Sequence, residues 1–100
     1  GILSTIYLDL KSGFSIKGIE SILKRFYKND KFVHILVNNT LISTNKVINT
    51  NNCFISICKT KNKNKIIILS AIDNLIKGGA GQAVQNMNIR FNLNKNEGLK

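Results

Sequence analysis

One hundred residues make one small domain or a piece of a larger one, and 43% hydrophobic residues are enough for a core. The longest apolar run, Ile66 to Leu69, falls far short of the about 20 residues that a membrane helix needs. A helix spanning the membrane is therefore excluded, and a soluble domain is expected. The net charge of +10 would suit a nucleic-acid partner, yet 16 Ile, 15 Asn and 13 Lys supply 44 of the 100 residues. All three have A/T-rich codons, so compositional drift accounts for the basicity and no specific nucleic acid is expected as a partner.

The chain opens at Gly1 inside the apolar stretch GILSTIYL, with no turn or cap before it, as expected of a chain whose beginning is missing. Gly1 to Leu10 alternates Ile2, Ser4, Ile6, Leu8 and Leu10 against Leu3, Thr5, Tyr7 and Asp9, which predicts a strand with one face well buried. After the KSG turn, Ile16, Ile19, Leu23, Phe26 and Tyr27 follow helical spacing, with Ser15 placed to cap the helix. Lys31 to Val37 reads as a short strand, and the polar stretch Asn38 to Asn52 as mostly loop. Cys53 to Thr60 and Lys65 to Ile72 read as a hairpin joined by a basic turn, whose lysines are expected to sit in solvent. The run IIILSAI has no polar alternation in its first half, which predicts a central strand covered on both faces. Gly81 to Phe91 closes the chain as a helix. No repeat or linker divides it.

Few residues carry the chemistry of a site. Cys53 and Cys58 lie five apart on a predicted strand, so they point to opposite faces, do not pair, and read as buried structural thiols. They also lack metal-site spacing, and His34 has no acidic or thiol neighbour in sequence and reads as a structural or surface histidine rather than a catalytic one. The turn Lys77-Gly78-Gly79-Ala80-Gly81 lacks the GxxxxGK[ST] pattern and is only loosely like a phosphate loop. The Asp73-Asn74 pair is more suggestive, because polar side chains at the ends of buried strands in mixed α/β domains often face a ligand crevice.

The stretch SAIDNLIKGGAGQAVQNMN resembles the C-terminal signature of the N-acetyl-γ-glutamyl-phosphate reductases. Upstream, GILSTIY resembles a strand of that family, and VINTNNC resembles a segment of V-x-G-x-N-x-C type in which Asn49 stands in place of Gly. The resemblance implies an α+β fold, part of a glyceraldehyde-3-phosphate dehydrogenase-like C-terminal domain, with a mixed or antiparallel sheet and helices on one face. Residues 1–100 would be the C-terminal part of the catalytic and dimerisation domain plus the final helix, and the Rossmann domain would be absent.

The resemblance further implies an NADP-dependent, oligomeric enzyme of arginine biosynthesis. It would convert N-acetyl-glutamyl phosphate to the semialdehyde through thiolate attack and hydride transfer, with both the nucleophilic cysteine and the catalytic histidine upstream of this chain. No catalytic residue and no metal ligand is then expected here, and the isolated chain is expected to be inactive. Asn74, following an Asp at a strand end, matches the position whose amide meets the nicotinamide carboxamide, and Lys77, Gly78 and Gly79 would lie on the cofactor side of the cleft. Asp73 is expected to hold the turn. A rival reading is a small basic α+β RNA-binding module, although no predicted strand has two aromatics two residues apart to stack bases.

Overall fold

The computed structural model describes residues 1–100. Four strands form one mixed sheet: β1 (Ile2–Asp9), β2 (Val33–Ile35), β3 (Cys53–Lys59) and β4 (Lys65–Ile72), in the spatial order β1-β4-β3-β2. β4 pairs antiparallel with both β1 and β3, with Ile68 opposite Ile6 on one side and Ile57 on the other. β2 adds parallel to β3. The hairpin and the central position of IIILSAI are as the sequence predicts, and the architecture is the expected α+β one.

Helix α1 (Ile16–Phe26) starts where Ser15, in an extended conformation, accepts the Gly18 N–H at 3.1 Å on its Oγ, satisfying one of the orphan donors of the first turn. Ile16, Ile19, Leu23 and Tyr27 are half-buried along one stripe, and Ile19 lines a groove together with Leu8 and Ile66 of the sheet. The register puts Ile66, Ile68, Ile57 and Ile55 on that same face. The opposite face is covered by loop rather than helix. Ile42 and Val47, on either side of a single 3₁₀ turn at Thr44–Lys46, form a core with Leu69 and Ala71, and Leu36, Phe54, Cys58 and Ile67 pack around it. β4 is thus buried from both sides, as Ile66, Leu69 and Ala71 show.

Three expectations need correction. β1 does not have a buried face: all eight of its residues are exposed, with Ile2, Leu3, Ile6 and Leu8 between 42% and 48% and Tyr7 at 75%. It is an edge strand; α1 packs towards β2 and β3 and the 36–52 loop over β3 and β4 instead. The second strand is trimmed from Lys31–Val37 to three residues; beyond Leu36, whose N–H still donates to Ile55 O, the ladder becomes irregular and the chain runs on along β3 to Asn39, at a φ of 66°. There its N–H donates to Ile57 O and its Oδ1 accepts from Lys59 N–H. Both cysteines are half-buried rather than buried; they do face opposite sides, Cys53 towards Ser70 and Cys58 towards the loop-covered core. His34 is structural, its Nε2 3.0 Å from Asn52 Oδ1 and its ring edge-on to Phe54.

Beyond β4 the chain makes a wide turn at Ile76–Ala80 and enters α2 (Gly81–Arg90) at the end of the sheet. The last residues fold back: Asn88 Nδ2 donates to the carbonyls of Lys95 and Glu97, and Asn51 N–H donates to Lys100 O. The result is a slab of 44 × 26 × 18 Å with a radius of gyration of 14.9 Å, against about 13 Å for a compact 100-residue domain. Only 13 residues are buried, so the small core is concentrated on β3 and β4. Ile57, wholly buried there, should be sensitive to a single methylene. Ile57→Val is expected to lower the stability by about 0.5–1.5 kcal/mol in denaturant titration with an unchanged slope. An unaltered midpoint would show that Ile57 is not in the packed layer.

Candidate functional site

The loop that follows the central strand is held by Asp73. Its buried carboxylate accepts the Asn49 N–H at 2.8 Å on Oδ2 and the Leu75 N–H at 2.9 Å on Oδ1, while its own carbonyl accepts from Ile76 and Gly78. Those bonds from Asn49 and Leu75 hold the Asp73 pKa below its ordinary value, against the opposing effect of burial. Asp73 is therefore the turn-holding residue that the sequence predicts. Asn49 reaches it in a left-handed conformation, φ 61°, which explains why the resembling family segment has Gly there and why Asn, the tolerated alternative, can replace it.

Asn74 is next in the chain, exposed, and its amide bonds to nothing else in the chain. Gly78 and Gly79 are exposed beside it. A Cβ on Gly78 would make an ordinary contact of 3.4 Å with Ile72, and one on Gly79 would lie 3.3 Å from Asn74 O. The glycine that the packing demands is Gly81, where a Cβ would fall 2.5 Å from Asn51 Oδ1 and 2.7 Å from the carbonyl of Ile76.

Lys77 turns inward. Its Nζ donates to Gln85 Oε1 at 2.8 Å and lies 5.4 Å from the centre of the Phe32 ring. Burial lowers its pKa from the usual lysine value, with the charges of Asp30 and Cys53 acting the other way. The same Gln85 oxygen accepts from Asn51 Nδ2, also at 2.8 Å, and both amides are buried. Asn51 Oδ1 has no hydrogen-bond partner and lies against Gly81. Sequence reasoning missed Asn51 and Gln85. The available signal was the stripe Gly81, Gln85, Asn88 along the buried side of α2, where polar residues stand at positions an apolar stripe would fill.

None of Asn74, Lys77, Gly78 and Gly79 lines a cleft of the chain itself. Next to the turn is a cleft of about 370 Å³ between Asn49, Ile76, Gly81 and the C-terminal Leu99 and Lys100. No group of acidic, histidine or cysteine side chains is arranged to hold a metal ion. No helix is long and apolar enough to cross a membrane. Tyr7 is the one well-exposed aromatic on the sheet, Phe54 being packed against the core, so no base-stacking platform exists. The lysines of the β3–β4 turn, Lys59, Lys61, Lys63 and Lys65, are all exposed, as expected.

A family model described as "Semialdehyde dehydrogenase, dimerisation domain" matches residues 1–74. The chain is 45% identical over 100 residues to a protein of Vesicomyosocius okutanii named N-acetyl-gamma-glutamyl-phosphate reductase, covering 100% of this chain and 28% of that one. It is 48% identical over 99 residues to a protein of the same name from Clostridium botulinum, covering 29% of it. A third, from Halothermothrix orenii, is 41% identical over 100 residues, again covering 29%. The chain thus spans about 29% of the length of the curated relatives it matches. These similarities support the reductase resemblance and give none to the RNA-binding alternative.

Two substitutions probe the turn. Gly81→Ala is expected to destabilise the protein by about 1–3 kcal/mol through overpacking, while Gly78→Ala leaves the melting temperature nearly unchanged. Equal effects would contradict the packing described. Asp73→Asn should lower the melting temperature at neutral pH. The folded pKa of Asp73 lies below the unfolded value of 3.8, so its contribution is complete above that value and is lost as pH falls through the folded pKa. The gap between wild type and variant should therefore narrow below about pH 4, and a gap that widens in acid would refute the assignment.

Proposed function

Because the chain belongs to the semialdehyde dehydrogenase dimerisation-domain family, we propose that it is the C-terminal part of a cytoplasmic, NADP-dependent N-acetyl-γ-glutamyl-phosphate reductase of arginine biosynthesis. In that reading the remainder of the polypeptide supplies a Rossmann domain, the thiolate that attacks N-acetyl-glutamyl phosphate, and the histidine that moves protons. This chain supplies one wall of the nicotinamide site. NADPH, when bound, supplies the hydride.

The observation that carries the reading is the exposed, unbonded amide of Asn74 on a turn that is otherwise tied down. A carboxamide has one acceptor and two donors, and the nicotinamide carboxamide presents the same set, so an Asn side chain can donate to its oxygen and accept from its NH₂. The residues present therefore fit the group. Two such bonds fix which face of the ring meets the substrate, and orientation of this kind lowers a barrier without any covalent role for Asn74. Gly78 and Gly79 leave the surface beside Asn74 free of side chains, which permits close approach of a ligand. Lys77 contributes by fastening the backbone, since its ammonium is engaged with Gln85.

The exposed apolar side chains of β1 support the second element of the reading, an oligomer. Ile2, Ile6 and Leu8 on one face of β1 and Leu3 and Tyr7 on the other leave apolar area open on both sides of this edge strand, and in the complete protein the remaining polypeptide and a second subunit would cover it.

In the complete enzyme, Asn74→Ala should lower kcat/KM for NADPH by an amount equivalent to about 1–3 kcal/mol and leave the fold intact. Unchanged NADPH kinetics would refute the role given to Asn74. The isolated 100-residue chain should show no NADPH oxidation with the acyl-phosphate substrate, and measurable turnover would contradict the division of labour proposed.

A further inference from the structure

The turn carrying Asn74 is anchored at two places, and the second anchor lies within α2. At the first, the Asp73 carboxylate takes the Asn49 N–H. At the second, Gln85 Oε1 accepts both Lys77 Nζ and Asn51 Nδ2, each at 2.8 Å. Both anchors end on one three-residue segment, 49–51, that leads into β3. Between them lie Asn74 and Leu75, both exposed, then the half-buried Ile76. The exposed glycines Gly78 and Gly79 follow the second anchor and bring little conformational restraint of their own. The turn closes with wide hydrogen bonds, Gly78 N–H to Asp73 O and Ala80 N–H to Leu75 O. A loop of that kind keeps one geometry only if side chains fix it, and both anchors are charge-assisted, one through the Asp73 carboxylate and one through the partly buried Lys77 ammonium. Gln85 is 6% exposed and Asn51 0%, so the Gln85–Asn51 half of this junction is shielded from water, while Lys77 is half-buried.

We infer that Gln85 is a positioning residue for the Asn74 amide: by joining Lys77 to Asn51 it fixes the turn against the segment before β3. The inference rests on the cofactor role proposed for Asn74. Gln85 touches no ligand, and its effect on one passes through Lys77. Asn51 completes the junction from the other side, which gives its buried amide a role beyond packing on Gly81.

The test compares Gln85→Leu, Lys77→Met, the double variant, Gln85→Glu and Asn74→Ala in the complete enzyme, with NADPH as the titrated ligand. Gln85→Leu and Lys77→Met should each raise KM for NADPH about tenfold, the scale for a slightly misplaced contact, while KM for the acyl phosphate stays within about twofold. The double variant should be no worse than either single one, because the two act as a unit. Gln85→Glu keeps an acceptor for both donors and should restore KM to within about threefold of wild type. Independently of turnover, amide hydrogen exchange in the cofactor-free enzyme should accelerate over residues 74–79 in Gln85→Leu and Lys77→Met, and not in the sheet. If Gln85→Leu does not fold, Lys77→Met alone decides the matter by the same two readings. Unchanged KM and unchanged exchange in these variants, with Asn74→Ala still impaired, would overturn the positioning role. An unimpaired Asn74→Ala would overturn the reading beneath it instead.

Discussion

The turn after β4 depends on one buried carboxylate. Asp73 stands where the central strand leaves the sheet, and it accepts a backbone N–H from Asn49 on a segment 24 residues earlier and another from Leu75 just ahead. A strand end offers the chain many exits. A carboxylate that needs two N–H donors at set positions allows only those in which the loop before β3 and the turn after β4 come together. Asn49 must then adopt a positive φ, the 3₁₀ turn at Thr44–Lys46 follows just upstream, and Val47 is delivered to the core between them. The core on that face of the sheet and the exposed turn at its end are therefore parts of one arrangement.

That arrangement concentrates rigidity at one end of a thin molecule. The hairpin β3–β4 is covered on both faces, whereas β1 contributes apolar side chains that nothing within the chain covers. Burial is what stabilises a sheet of this size, at roughly 25 cal/mol per Å² of apolar area. A strand left open on both faces adds backbone hydrogen bonds but little of that stabilisation. The anchored end is where Asn74 is displayed, and the open edge is where the apolar side chains of β1 stay exposed.

Local patterns made much of this legible in the sequence. The helix α1 followed from apolar spacing and from Ser15 ahead of it, because a cap and a stripe are short-range features. The hairpin followed from two apolar runs around a lysine-rich turn, and the central strand from the lack of polar alternation in IIILSAI. Asp73 as turn holder followed from the family resemblance, which gave the ligand contact to Asn74 beside it. The exposure of β1 did not follow, since Ile2, Ile6 and Leu8 alternate like any half-buried strand and alternation cannot say whether a cover exists. Nor did the Lys77–Gln85–Asn51 junction, in which Asn51 and Gln85 are 34 residues apart and meet only once α2 sits at the sheet end. The division within the glycine cluster was not legible either, the cluster reading as a single turn only loosely like a phosphate loop. The fold divides it into exposed Gly78 and Gly79 and a tightly packed Gly81, a distinction set by Asn51 and Ile76.

A structure of the complete protein with NADPH bound tests the assignment of Asn74 most directly. The predicted result is the Asn74 amide within about 2.7–3.2 Å of the nicotinamide carboxamide, with the Asp73–Asn49 and Lys77–Gln85 bonds retained. A carboxamide met by residues outside Asp73–Gly81, with Asn74 left in solvent, would contradict it.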